Sequence, residues 1–338
     1  MTVTVDPTGG LGQTEMLRRL ATLAGKAAQE ILMDQDASVT LINQSENSTY
    51  LVRCANYGKC ILRIHRTGYH SLKAIESELT WMKALREDVG IETPTVIEPR
   101  FGSSVHHVKT TELPHGRHCV FFKFLDGEEP AEDDLLASFP DLGEVTARMH
   151  KHAKTWNLPG GFERFTWNIE TAFGANPHWG RWYNAPGVTS DLQPTLNRLL
   201  GTIKKRLSKF GCERERFGLA HCDMRLANLL IDGATTKVID FDDCGFSWYL
   251  YDMATALTFT EDRSDVPELI DAWVEGYSRV SRLSSDEKNE IPTLIMYRRL
   301  LALAWIGSHA ETDLARSLAE TFAPTTVNLA EHYLSRYG

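Results

Sequence analysis

The sequence predicts an α+β chain built as two lobes, a small antiparallel β-rich one followed by a larger, mostly helical one. Three observations carry that expectation. At 338 residues and 42% hydrophobic content the chain buries a full core, yet it is longer than most single domains. Between residues 38 and 65, apolar and β-branched segments alternate with short polar turns. Beyond about residue 130 the apolar positions recur at helical spacing almost to the end.

Taken in order, residues 1–14 combine Thr, Gly, Pro and Asp without periodicity and read as a flexible tail, with no phosphate role for Gly9, Gly10 or Gly12. A helix is expected over 15–33. A strand over 38–42 leads through the polar turn 43–48 to a second strand over 49–55. The turn Asn56-Tyr57-Gly58 then feeds a third over 59–65, giving a β-meander. From 71 to 86, Leu72, Ile75, Leu79, Met82 and Leu85 recur at three and four residues, the pattern of a helix with one buried face. Two more strands are expected over 104–109 and 117–125. Asp126-Gly127-Glu128-Glu129-Pro130 then breaks the pattern and sets the boundary between an N-lobe of 15–126 and a C-lobe of 127–338. The C-lobe should hold helices over 133–152, 193–210 and from 250 onward, with a loop rich in Trp, Gly, Asn and Pro over 156–194.

Composition excludes several functions. A net charge of −9 without clustered cations argues against nucleic acid as a partner. Six cysteines without CxxC spacing read as reduced thiols rather than a disulfide framework or zinc site, which makes the cytoplasm the default compartment. No signal pattern and no 18-residue apolar run occur, so neither secretion nor a membrane partner is expected. Oligomeric state is not legible.

The chemistry is concentrated in HCDMRLANLLI (221–231) and, after the turn Asp232-Gly233, KVIDFDD (237–243). An Asp at 223, an Asn five residues later and an Asp at 240 lie on or beside two short apolar strands that a hairpin brings together. Phosphoryl transfer needs a carboxylate to orient a hydroxyl nucleophile, and hard oxygen ligands to hold Mg2+ against the phosphates. Asp223 fits the first role, Asn228 and Asp240 the second. Read singly, each is as well explained as a turn or capping residue. Their joint order and spacing match a kinase catalytic loop and the metal-binding Asp that follows it. No Walker A sequence competes.

With these segments, together with LGEVTARMH (142–150) and VFFKFLDG (120–127), the chain resembles the aminoglycoside phosphotransferase and choline kinase superfamily over about residues 38–259. The similarity is greatest to the branch with type II homoserine kinases and bacterial stress-response kinases. The resemblance implies a bilobal protein-kinase-like fold with ATP held between the lobes, Asp223 as catalytic base, and Asn228 and Asp240 as Mg2+ ligands. It further implies that Ser45, Asn47 and Ser48 of INQSENSTYLV cover the nucleotide, that Glu78 steadies the cationic phosphate contact, and that Lys123 and Leu125 belong to the nucleotide site.

The sequence departs from that pattern in four places. The third strand carries Arg63 where a kinase places Lys, with Lys59 on the same strand face; Arg63 is the choice, because its guanidinium binds phosphate oxygens through paired hydrogen bonds and can pair with Glu78. A surface role for Arg63 is the alternative. The turn 43–48 is poor in glycine. Cys222 replaces the Arg that reads a phosphorylated activation loop, and no A-P-E motif follows, which favours a small substrate over a protein. Asp242 stands where D-F-G has Gly.

Asp242 and Asp243 extend a carboxylate cluster suited to a substrate with an amine beside its hydroxyl, the alternative for Asp243 being a brace for the next segment. Asp252 and His221 read as braces of the loop, and His150 as a structural residue closing a helix. The aromatics Phe162, Phe165, Trp167, Phe173, Trp179, Trp182 and Tyr183 pack a core or, alternatively, cage an alkylated ammonium. His106, His107, His115 and His118 lack metal-ligand spacing. The expectation is an ATP- and Mg2+-dependent kinase acting on a hydroxyl of a small metabolite, such as an amino alcohol, a homoserine-like compound or an aminoglycoside. A stress-response-type protein Ser/Thr kinase and a non-catalytic nucleotide-binding regulator are the alternatives.

Overall fold

In a computed structural model of the chain, which describes residues 12–44, 47–98, 102–130, 135–233 and 235–338, the backbone divides into two compact units. The first holds the described residues up to 87, with 92–126 and 159–163. Its helix α1 (Gln13–Ile31) buries Leu20, Leu23, Ala24, Ala27 and Ala28, a stripe at the i, i+3, i+4, i+7 spacing that one helix face provides. That stripe covers one face of a five-stranded antiparallel sheet of β1 (Ser38–Gln44), β2 (Ser48–Cys54), β3 (Gly58–Ile64), β4 (His106–Val108) and β5 (Arg117–Lys123). The strands run in the order β1-β2-β3-β5-β4. Because side chains alternate along a strand, Tyr50, Val52, Cys60, Leu62, Ile64, Cys119 and Phe121 share the α1 face. Lys59, Ile61 and Arg63 are left to the other. Helix α2 (Leu72–Val89) buries Ile75, Glu78, Leu79, Met82 and Leu85, while Leu72 is exposed.

The second unit comprises 88–91, 127–158 and 164–338. Helices α3 (Leu135–Thr155) and α7 (Val266–Ser278) cross at paired glycines: a Cβ on Gly276 would overlap the Pro140 carbonyl oxygen and one on Gly143 the Trp273 carbonyl oxygen. Helix α5 (Gln193–Phe210) packs with α8 (Ser285–Ser308) and α10 (Phe322–Tyr337), beside the short α9 (Asp313–Leu318). A capping box starts α8, with the Ser284 hydroxyl accepting from the Glu287 N–H and the Glu287 carboxylate accepting from the Ser284 N–H. From Ile291 on it is buried on almost every side. A small sheet of β6 (Phe165–Thr166), β10 (Gly245–Trp248) and β7 (Phe217–Ala220), in that order, and the hairpin β8 (Leu229–Asp232)–β9 (Thr235–Val238) hold the motif segments. Helix α6 (Tyr251–Ala256) follows.

The α+β class holds, and four details differ from expectation. The 156–194 segment is not simply a loop: it contains β6, the helix α4 (Ile169–Phe173) and a 3-10 turn at Trp182–Asn184. Strand β10, unanticipated, pairs antiparallel with β7 and begins two residues after Asp243. The strands expected over 104–109 and 117–125 are shorter, because the sheet hydrogen bonds of β4 reach only Val108 and those of β5 only Lys123. His150 lies inside α3 rather than closing it. Among the described residues no helix is long and apolar enough to cross a membrane.

Candidate active site

Strand β7 ends at Ala220, and the chain then turns through Cys222, whose φ of 66° is a left-handed conformation that a residue with a Cβ adopts only under constraint. The constraint is Asp252 on α6. Its Oδ2 accepts from the His221 N–H at 3.1 Å and its Oδ1 from the Cys222 N–H at 2.6 Å. Asp252 Oδ2 also meets His150 Nε2 at 2.9 Å, while His150 Nδ1 lies 3.1 Å from the Tyr277 hydroxyl. Thr255 Oγ1 accepts from the Met224 N–H at 2.8 Å. His221 Nε2 lies 3.1 Å from the Ile239 carbonyl, joining this loop to the residue before Asp240, and its Nδ1 accepts from the Asp223 N–H at 3.3 Å. Burial lowers the pKa of both histidines, against the pull of Asp252. His150, His221 and Asp252 therefore act as braces.

The Asp223 side chain retains 14% exposure. Its Oδ2 accepts from Asn228 Nδ2 at 2.8 Å and from Arg225 Nε at 3.3 Å, and its Oδ1 accepts from Arg298 Nη2 at 3.1 Å. Burial alone would raise its pKa; the cationic neighbours Arg225 and Arg298, with His221 and the Asn228 hydrogen bond, outweigh that and leave it lowered. The result is a carboxylate rather than a carboxylic acid. Arg298, in the middle of α8, is the site residue that the sequence reading missed. Its signal was there: a cation inside a helix segment buried all round must be paired.

Asn228 donates its amide hydrogens to Asp223, to the backbone carbonyl at 2.8 Å as well as to the carboxylate, which leaves its amide oxygen as the acceptor available to a cation. Asp240 is exposed and holds φ at 59°, the second constrained non-glycine residue of the segment. One neutral and one anionic oxygen donor suit a hard divalent cation that takes its remaining ligands from nucleotide phosphates and water. Among the described residues no group of three His, Cys, Asp or Glu side chains converges on a metal site.

In the first unit, Arg63 Nη2 pairs with Glu78 Oε1 at 2.6 Å; both side chains are buried, and the guanidinium lies 5.2 Å from the Phe122 ring centroid. Lys59, exposed, lies over Phe124 instead. Asn47 and Ser48 are buried and tie the turn itself: Asn47 Oδ1 accepts from the Arg66 N–H at 3.1 Å, and the Ser48 hydroxyl donates to Gln44 Oε1 at 2.6 Å. Ser45 lies outside the described residues. Lys123 ends β5 with an exposed side chain, and its N–H donates to the Thr95 carbonyl at 2.8 Å; Leu125 is half-buried just after it.

Beyond Asp240 the backbone is held by Arg164, whose Nε donates to the Cys244 carbonyl at 2.6 Å and whose Nη2 donates to the Asp242 carbonyl, and by Trp167, whose Nε1 donates to the Asp243 carbonyl at 2.8 Å. Asp242 is buried and Asp243 half-buried. Of the aromatic stretch, Trp167, Trp179 and Trp182 belong to the core, each under 5% exposed, with the Trp179 ring facing the Arg298 guanidinium at 5.3 Å; Phe162, Phe165 and Phe173 are half-buried and Tyr183 is exposed.

Residues 38–286 match the model of the phosphotransferase enzyme family (APH). The structure of a microcompartment-associated aminopropanol kinase is 41% identical, with a TM-score of 0.86 over 94% of this chain and 98% of that one. The amicoumacin kinase hAmiN, solved in complex with AMP-PNP, Ca2+ and Ami, is 21% identical at a TM-score of 0.73 over 94% and 96%, a likeness of fold. A homoserine kinase of Gluconobacter oxydans (strain 621H) is 22% identical over 287 residues, 80% of this chain and 83% of that protein. The protein-kinase-like fold that the resemblance implied holds, and the chain belongs to the phosphotransferase enzyme family.

Proposed function

We propose that this chain is an ATP-dependent kinase that phosphorylates the hydroxyl of a small amino alcohol, with Asp223 orienting the attacking oxygen. The membership in a family of phosphotransferases and the 41% identity to an aminopropanol kinase support transfer to an alcohol of a small metabolite. The observation that carries the assignment of Asp223 is its geometry: a carboxylate kept ionised, gripped on both oxygens, and still partly open. Such a group accepts the hydrogen bond of an incoming hydroxyl and fixes its lone pair toward the phosphorus; the oxygen attacks, the bond to the leaving phosphate breaks, and ADP departs. The hydroxyl proton passes to Asp223 as the new P–O bond forms.

Asn228 and Asp240 would hold a divalent cation, which supplies charge compensation for the phosphates when bound. Mg2+ is the proposed ion. In the first unit, Arg63 would contact nucleotide phosphate while Glu78 fixes its rotamer. Asn47, Ser48, Lys123 and Leu125, with Ser45, remain nucleotide-side candidates, Asn47 and Ser48 through their backbone groups because their side chains serve the turn. Asp243, less buried than Asp242, is the better partner for the substrate ammonium. Trp167, Trp179 and Trp182 are packed into the core, with Trp179 facing Arg298, so these three rings are not available to cage a trimethylammonium, and a primary amine is the proposed substrate cation. ADP release should rise with amino alcohols such as 1-amino-2-propanol, well above choline, homoserine and aminoglycosides. Preference for choline or for a protein acceptor would overturn the substrate reading.

A further inference from the structure

Arg298 lies 75 residues from Asp223 in the chain and is 5% exposed, yet it provides a hydrogen bond to that carboxylate. Its other two nitrogens are each held by a group that has no part in the transfer reaction: Nη1 donates to the Tyr251 hydroxyl at 3.0 Å and Nε to Thr258 Oγ1 at 2.9 Å. The Trp179 and Tyr251 rings lie 5.3 and 5.8 Å from the guanidinium carbon. A planar fork held by two hydroxyls and two rings has one orientation, and it would keep that orientation if Asp223 were absent. The guanidinium is thus the fixed member of the pair, and the carboxylate is aligned to it.

The second oxygen of Asp223 is held by Asn228 from the 3-10 turn Leu226–Asn228. Partners on both oxygens, drawn from two separate elements, define the carboxylate plane as well as its position. Each carboxylate oxygen accepts more than one hydrogen bond, so these contacts leave capacity for a hydroxyl nucleophile. Arg225 differs: it meets Asp223 at 3.3 Å from a side chain that is 33% exposed and has the freedom to move.

We propose that Arg298 is a positioning residue for phosphoryl transfer, setting the plane of the Asp223 carboxylate toward the acceptor hydroxyl through a guanidinium locked by Tyr251, Thr258 and Trp179. This rests on the reading of Asp223 as the orienting base. It assigns to α8 a part in the geometry of the reaction, and it predicts losses in kcat rather than in nucleotide affinity.

The test compares kcat and the KM values for ATP and amino alcohol in Arg298→Met, Arg298→Lys and Tyr251→Phe, with thermal melting of each. Arg298→Met should lower kcat about 100-fold, the scale of a misplacement near 1 Å, and leave the KM for ATP within about twofold. Arg298→Lys should recover only part of that loss, because an ammonium reproduces the charge but not the fork. Tyr251→Phe removes one anchor of the fork and should lower kcat about fivefold at unchanged KM for ATP. Where Arg298→Met does not fold, Arg298→Lys and Tyr251→Phe decide. Full recovery in the Lys variant, or an unchanged kcat in the Phe variant, overturns the proposal. Asp223→Asn, run in parallel, separates the two readings: an active Asn variant sinks the role of Asp223, whereas an inactive one beside a fully active folded Arg298→Met sinks only the role of Arg298.

Discussion

The proposed catalytic-loop segment 221–228 and the turn joining β1 to β2 are both polar connections between strands, but the described bonds hold them to different degrees. The first is fastened from several elements at once: Asp252 and Thr255 from the α6 region, Ile239 from beyond the hairpin, Arg298 from α8, with His150 of α3 behind Asp252. Among the described residues of the second, Ser48 bonds Gln44 across the turn and Asn47 accepts from the Arg66 N–H just beyond β3, beside a strand whose residues are mostly exposed. Buried polar bracing imposes costly backbone geometry, as at Cys222, and makes the braced loop sensitive to single changes far from it in sequence. A turn held by fewer such ties among the described residues is more tolerant of single changes, and the proposed contact with a nucleotide would fall to its backbone groups.

The largest effect should come from Asp252→Ala. It removes the acceptor for two backbone N–H groups and for His150, leaving buried polar groups unpaired at a cost of about 3–5 kcal/mol, and it releases Cys222 from its left-handed conformation. Urea unfolding should show that loss, together with near-complete loss of turnover. A variant with native stability and rate would break the comparison.

The next effect is pH dependence. The pKa values of His150 and His221 are lowered in the fold, chiefly by burial, so below the ordinary value of 6.5 the unfolded chain takes up protons that the folded chain does not. Stability is therefore full above pH 6.5 and declines as pH falls toward the folded values, by up to about 1.4 kcal/mol per pH unit for each histidine. The urea midpoint at pH 5.5 should lie clearly below that at pH 7.5. Equal midpoints would contradict the buried neutral state of this pair.

The smallest effect belongs to the turn. Ser48→Ala removes one hydrogen bond to Gln44 and should cost about 1 kcal/mol, with little change in the KM for ATP. A rise in that KM of tenfold or more would show that the hydroxyl itself serves the nucleotide, and would move this turn closer to the catalytic loop in kind.

The two regions also differ in how far they could be read from sequence. That Asp223, Asn228 and the segment before Asp240 come together was legible because short loops on consecutive strands set their spacing, and that spacing is local. The Arg63–Glu78 pair was legible through the family resemblance, which matches Arg63 to the third-strand cation and Glu78 to the helix glutamate. For Arg298 the need for a partner was signalled by its buried helix, but the identity of that partner was not, since it depends on how α8 packs. The commitment of Asn47 and Ser48 to their own turn was equally hidden, because hydroxyl and amide side chains serve a ligand or a backbone with the same chemistry. The aromatic stretch over 162–183 offered core and cage as alternatives, and only burial of Trp167, Trp179 and Trp182 distinguishes them. Strand β10 escaped notice because four residues give too short a pattern to be read as a strand.

The central claim is tested most directly by the single-turnover rate of Asp223→Asn with Mg·ATP and an amino alcohol, alongside its affinity for Mg·ATP. Asparagine keeps the shape and loses the charge. The account predicts a fall of about 100-fold to 10,000-fold in the transfer rate with nucleotide binding retained; transfer at a near-native rate would contradict it.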